Sequence, residues 1–91
     1  MPEEKAMHYE QDHGALLQML REALIGELQA INQYERYARM TCYAPARQLF
    51  QEIADDEKHH VAELLKMITH FDRKQAEELR MVFMHKPGKY E

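Results

Sequence analysis

The stretch Asp55-Asp56-Glu57-Lys58-His59-His60 decides how the chain is read. It lies midway along a stripe of otherwise apolar residues: Phe50, Ile53, Glu57, His60, Leu64, Met67 and Phe71. The steps alternate three and four, which is the repeat of one face of an α-helix. Val61, Leu65 and Ile68 broaden the apolar side. Glu57 and His60, spaced Glu-x-x-His, therefore occupy interior positions. Upstream, Leu17, Leu20, Leu24, Glu27, Ile31, Tyr34 and Ala38 repeat the same alternation, with Leu16, Ala23 and Ala30 at the edge. Here one carboxylate, Glu27, interrupts the stripe.

Between the stripes the pattern fades over Met40-Thr41-Cys42-Tyr43-Ala44. Pro45 then supplies a φ angle suited to a new first turn. Asp72 followed by Gln75 resembles a cap and capping-box pair, so a third helix starts near Arg73 and carries Ala76, Leu79, Val82 and Phe83. Lys86-Pro87-Gly88 ends it. No strand alternation or internal repeat is present. The fold expected is all-α: an antiparallel two-helix hairpin plus a short C-terminal helix, in a single domain over 1–91. Residues 1–13 read as a loose arm or a frayed first turn, with Gly14 before the first helix, and 86–91 as a tail.

Heights along the hairpin bring the ionisable residues together. Positions 27 and 60 are equidistant from 43.5, inside the turn between Tyr43 and Ala44. Residues equidistant from the turn of an antiparallel hairpin lie level. At about 1.5 Å rise per residue, Glu27 and His60 are level and Glu57 lies about 4–5 Å along the axis. A dinuclear carboxylate site in a four-helix bundle takes one Glu from each of two helices and Glu-x-x-His from each of the other two. This chain has one copy of each element. It reads as half of a di-iron protein, completed by a two-fold homodimer that closes a four-helix bundle. Carboxylates are hard donors that stabilise Fe(III), and imidazole also accepts Fe(II); zinc and manganese suit the same ligands.

Glu-x-x-His alone is a weak signal. Glu10 and His13 have the same spacing, and Asp56 and His59 form an acidic variant. The first pair precedes Gly14. The second is about 100° off the stripe and faces solvent. Local sequence alone favours a solvated charge cluster for Glu57 and His60, with Asp55–His59 and Asp56–His60 as helical neighbours. Stripe phase and the matching height of Glu27 reverse that preference. Tyr34 follows Glu27 by seven residues on the same face, as a core tyrosine, a hydrogen-bond partner of the site or an electron donor. Tyr37 and Glu35 lie off the stripe and take no ligand role.

Composition sets the outer limits. Ninety-one residues with a net charge of −4 make one small domain whose core is marginal, so oligomerisation is a natural source of stability. No Lys/Arg cluster suggests nucleic acid, and no face is basic enough for a membrane surface. No apolar run spans a bilayer and no signal-peptide core begins the sequence, so a cytoplasmic location is expected. Cys42 is the one cysteine, which excludes an intramolecular disulfide framework and a Cys-rich zinc or rubredoxin site. The seven methionines fill core gaps. His70 and His85 stand near helix ends, where the helix dipole accounts for them.

The chain resembles the encapsulated ferritin-like family within the ferritin-like superfamily. The matching stretches are Gly26-Glu27-Leu28-Gln29-Ala30-Ile31-Asn32-Gln33-Tyr34-Glu35 and Asp55-Asp56-Glu57-Lys58-His59-His60-Val61-Ala62. The resemblance implies a helical subunit that dimerises to build a ferroxidase centre, with Glu27, Glu57 and His60 as iron ligands and Tyr34 beside them. It implies dimers assembled into an open, decameric ring. Family members often carry further carboxylates beside the first Glu that attract iron; Gly26 and Gln29 stand in that neighbourhood here. Family members can also carry a C-terminal peptide that docks them inside an encapsulin shell. No apolar docking peptide precedes Lys89-Tyr90-Glu91, so the expectation is a shortened chain or action outside a shell. The activity implied is oxidation of Fe(II) by oxygen or peroxide, for iron storage or detoxification. The competing readings are a rubrerythrin-like peroxidase and a non-catalytic helical dimerisation module.

Overall fold

The computed structural model describes residues 13–84. Three helices follow in order: α1 over His13–Met40, α2 over Ala44–Phe71 and α3 over Arg73–Phe83. The expected arm through residue 12 and the tail from residue 86 lie outside the described residues. His13 and Gly14, read as preceding the first helix, are already inside α1. The His13 ring stands 4.8 Å from Phe71 at the far end of α2, as an antiparallel pair requires.

Each helix end has a local cause. α1 runs out at Met40, and the turn is held by Thr41 N–H donating to Tyr37 O at 3.1 Å and Tyr43 N–H donating to Thr41 Oγ1 at 3.2 Å. Tyr43 caps α2 without a side-chain bond, and Pro45 occupies its first turn, where a missing N–H costs nothing. Asp72 alone separates α2 from α3 and serves both. Its N–H closes α2 on Ile68 O at 2.8 Å, and its Oδ1 accepts from Gln75 N at 3.0 Å as the cap of α3. The same carboxylate binds Arg21 Nη2 of α1 at 2.7 Å. A second ion pair joins the long helices, Lys58 Nζ to Glu35 Oε2 at 2.9 Å.

α1 packs along α2, and α3 packs only on α2. The result is a sheet of helices measuring 52 × 45 × 13 Å. Its thickness is that of one helix, about 10–12 Å with side chains. A radius of gyration of 17.8 Å exceeds the roughly 12 Å of a compact chain of this length. No enclosed core is geometrically available, and among the described residues only Ala38, Ala54 and Ile68 are buried apolar positions. The stripe residues Leu20, Leu24, Ile31, Tyr34, Phe50, Ile53, Leu64 and Phe71 are half-buried. Met81, Val82, Phe83 and Met84 at the end of α3 are exposed.

Candidate metal centre

Glu27 on α1 and Glu57 and His60 on α2 converge as the helical phase and heights predict. One donor atom from each lies within 4.8 Å of the others. His60 Nδ1 is 3.5 Å from Glu27 Oε1 and 3.8 Å from Glu57 Oε1. The carboxylates are mostly shielded, with side chains 25% and 20% exposed, and the imidazole is 48% exposed. The contacts are longer than good hydrogen bonds, so the three groups surround a shared space instead of satisfying one another. Glu27 Oε2 is inaccessible to solvent and has no hydrogen-bond partner. A buried carboxylate oxygen without a donor is costly unless a cation completes it. Donors bound to one ion at about 2.1 Å in tetrahedral geometry stand roughly 3.4 Å apart, close to the observed separations. Two carboxylates and one imidazole are a donor set that suits iron.

The neighbouring charges turn elsewhere. Asp55 accepts from Gln51 at 3.1 Å and Lys58 at 3.3 Å, which together hold its carboxyl below the usual carboxylate range. Lys58 is raised above the usual ammonium value, first by Glu35 and then by Asp55. His59 faces Glu63 at 3.6 Å, not Asp55. The off-stripe pair Asp56 and His59 is exposed, and no part of it joins the cluster.

Tyr34 packs in an aromatic group: its ring is 6.0 Å from Tyr37 and 6.2 Å from Phe50, and Tyr37 lies 5.4 Å from Phe50. Tyr37, set aside as off the stripe, therefore helps close the turn end of the hairpin, with its hydroxyl accepting from Gln33 at 2.8 Å. Glu35, also off the stripe, pairs across the hairpin with Lys58. At about 100° per residue, Arg21 and Glu35 lie on the opposite flank of α1 from Ala23 and Ala30. Ala23 and Ala30 are thus small neighbours of Glu27 on the side away from those two residues. Neither of these pairs, Arg21–Asp72 and Lys58–Glu35, follows from spacing within one helix, so stripe periodicity carries no signal for them.

The rubrerythrin family matches residues 18–87, and the chain belongs to this family of ferritin-like helical proteins. Its members are commonly oxidoreductases and typically bind iron. The chain is 38% identical over 65 residues to a ferritin-like–encapsulin shell fusion protein of Pyrococcus furiosus, covering 71% of this chain and 19% of that one. It is 36% identical over 72 residues to the encapsulin nanocompartment cargo protein EncB of Myxococcus xanthus, covering 79% of this chain and 44% of that one. The chain thus spans less than half the length of either relative. Among solved structures, the encapsulated ferritin domain from Pyrococcus furiosus superposes with a TM-score of 0.75 at 37% identity, over 78% of this chain and 72% of that one. The expected family resemblance and all-helical fold hold. No described helix is long and apolar enough to cross a membrane.

Proposed function

We propose that the chain is a ferroxidase whose site is completed by a second copy. Glu27, Glu57 and His60 of two chains, related by a two-fold axis, would hold two iron ions between them. The observation that carries this reading is the convergence of two carboxylates and an imidazole around an unpartnered, inaccessible Glu27 Oε2. Doubling the set gives four carboxylates and two imidazoles, the donors of a dinuclear centre in a four-helix bundle. The one-helix thickness of the chain supports the pairing, since half-buried stripes need a second layer to leave water.

Fe(II) is the substrate on this reading. Glu27 and Glu57 supply anionic oxygens that favour the ferric product, and His60 supplies a neutral nitrogen that also accepts the ferrous ion. Two bound ferrous ions supply the two electrons that reduce oxygen to hydrogen peroxide, or hydrogen peroxide to water, with protons drawn from solvent. Small neighbours, Ala23 and Ala30, leave room beside Glu27 for a partner helix. Tyr34 sits on the same face, two helical turns along. We further propose that the whole chain is one half-bundle domain, held in the cytoplasm as cargo of an encapsulin shell; the name of the Myxococcus relative, a nanocompartment cargo protein, supports the cargo role. Dimers gathered into an open ring would not enclose mineral, so a shell would be the store.

The test combines metal analysis of protein purified without chelator with stopped-flow Fe(II) oxidation under oxygen and under peroxide. Iron retained near one ion per chain and oxidation well above the buffer rate are expected. Absence of both would favour the inert dimerisation module, whose polar cluster would be structural. Repeated peroxide reduction sustained by an added electron donor, with the iron retained and no ferric iron released, would favour the peroxidase.

A further inference from the structure

Residues 36–51 carry Arg36, Arg39 and Arg47 and no acidic residue. These three positive charges leave −7 for the rest of a chain whose total is −4. All three arginines are exposed at the turn end of the hairpin, and none forms an ion pair with a described residue. Arg36 stands over the Tyr37 ring at 5.9 Å. Arg39 follows Glu35 by one helical turn, and Arg47 precedes Lys58 by three. Both therefore sit on the flank of the Glu35–Lys58 pair, away from the metal cluster. Met40 and Tyr43, 72% and 68% exposed, cap the same end. Arg, Tyr and Met are residue types that interfaces favour, and a guanidinium fork matches a carboxylate. A long polyanion or an anionic membrane would also meet the negative remainder of the chain, so the patch fits a short acidic segment.

We propose that each turn patch holds residues 1–12 of the partner copy in the dimer. That segment lies outside the described residues. Its sequence sets Glu3, Glu4, Glu10 and Asp12 against Lys5, a net −3 that matches the turn, with Met7 and Tyr9 as apolar partners for Met40 and Tyr43. The proposal rests on the two-chain reading of the metal site. Glu27 stands at the middle of His13–Met40, and Glu57 at the middle of Ala44–Phe71. A two-fold axis through the cluster runs either along the helices or across them. Along them, it would bring two turns and their arginines side by side, and like charges repel. Across them, the start of the partner's α1 comes level with the turn. The partner's segment then has only one helix layer to cross, about 8–10 Å. The chain's own segment is worse placed. It joins α1 at His13, and the 28 residues of α1 put the turn about 42 Å away. Twelve extended residues reach about 40–43 Å at most, which leaves none to lie on the patch.

Cys42, exposed in the turn, is a native reporter. The full chain carrying Glu4→Cys, made dimeric with Fe(II), is treated with a short bismaleimide and read by denaturing mass spectrometry. A covalent dimer joined between position 4 of one copy and Cys42 of the other is expected. Adding Cys42→Ser should abolish it, and wild type should give none. In sedimentation, Arg39→Glu with Arg47→Glu should raise the dimer dissociation constant about tenfold, the size expected from losing two exposed ion pairs at each end. Glu3→Lys with Glu4→Lys should do the same, and all four changes together should recover wild-type affinity. The penalties should shrink as salt is raised. Above their dissociation constants, these charge variants should oxidise Fe(II) at the wild-type rate. Cross-linking of wild type through Cys42 would place the turns side by side and overturn the proposal. A link closed within one chain, or no link in a chain that dimerises and oxidises iron, would overturn it while leaving the metal site standing. Unchanged dimer affinity in Arg39→Glu with Arg47→Glu, together with lost binding of an added polyglutamate peptide, would assign the patch to another acidic protein and overturn it too. A wild-type chain that stays monomeric with Fe(II) would overturn the two-chain site itself.

Discussion

Replacing Glu57 or His60 with Ala tests whether the helical phase selects the right pair. Each chain contributes three donor atoms within 4.8 Å of one another. A two-fold site therefore has six protein donors, and a single substitution removes two of them. Losing an outer partner of a metal ligand already costs about 10- to 100-fold in affinity or activity, so deleting two direct ligands should cost at least about 100-fold. Glu57→Ala and His60→Ala should each lower the saturated rate of Fe(II) oxidation by that amount. Neither change opens a closed core, because both side chains lie on a face one helix thick, so helicity by circular dichroism should be retained. Asp56→Ala, one position out of phase and exposed, should stay within about twofold, as a surface change away from the donors. His59→Ala should lose far less than His60→Ala, because its side chain is exposed and outside the donor cluster. Equal losses at positions 56 and 57, or at 59 and 60, would refute the phase argument and the ligand set with it.

Metal should promote dimerisation, because four carboxylates repel until cations neutralise them; at 100 times the dissociation constant each bound ion adds about 2.7 kcal/mol by linkage. Sedimentation at fixed protein concentration with and without Fe(II) reads this, and dimer weakened by iron contradicts it. Asp72 is held below its usual range chiefly by the Gln75 amide, with Arg21 adding to it. A depressed carboxylate contributes stability that is present above its unfolded value of 3.8 and is lost as pH falls through the lower folded value. Acid, or Asp72→Ala at neutral pH, should therefore lower the hydrogen-exchange protection factor at Gln75 and loosen α3, and a protection factor that stays unchanged as pH falls well below 3.8 would contradict this. Gly26→Ala should raise the thermal midpoint, since an added Cβ meets nothing within 4 Å and helical Gly costs roughly 0.5–1 kcal/mol against Ala. A fall instead would show a partner chain closing on that position.

The two long helices were legible because each stripe keeps its three–four alternation without a break from one end to the other. The turn was legible from Pro45, and the third helix from the Asp72–Gln75 cap, whose backbone half is formed. Glu27, Glu57 and His60 were legible together because an antiparallel hairpin converts distance from the turn into height. Arg21–Asp72 and Lys58–Glu35 were not legible, since long flexible side chains choose partners across helices that no periodicity encodes. Tyr37 was set aside because its position lies beside the stripe, yet aromatic rings reach sideways far enough to join Tyr34 and Phe50. The start of α1 was placed late because Gly14 suggested a boundary, whereas a glycine in a first turn is tolerated where amide partners are not yet required.

On the proposed reading, two chains build one metal site. An anomalous difference map from crystals grown with Fe(II) tests it most directly. Two peaks are expected across a two-fold axis, each bounded by Glu27, Glu57 and His60 drawn from both chains. Iron enclosed by residues of a single chain, or bound away from these three side chains, would contradict it.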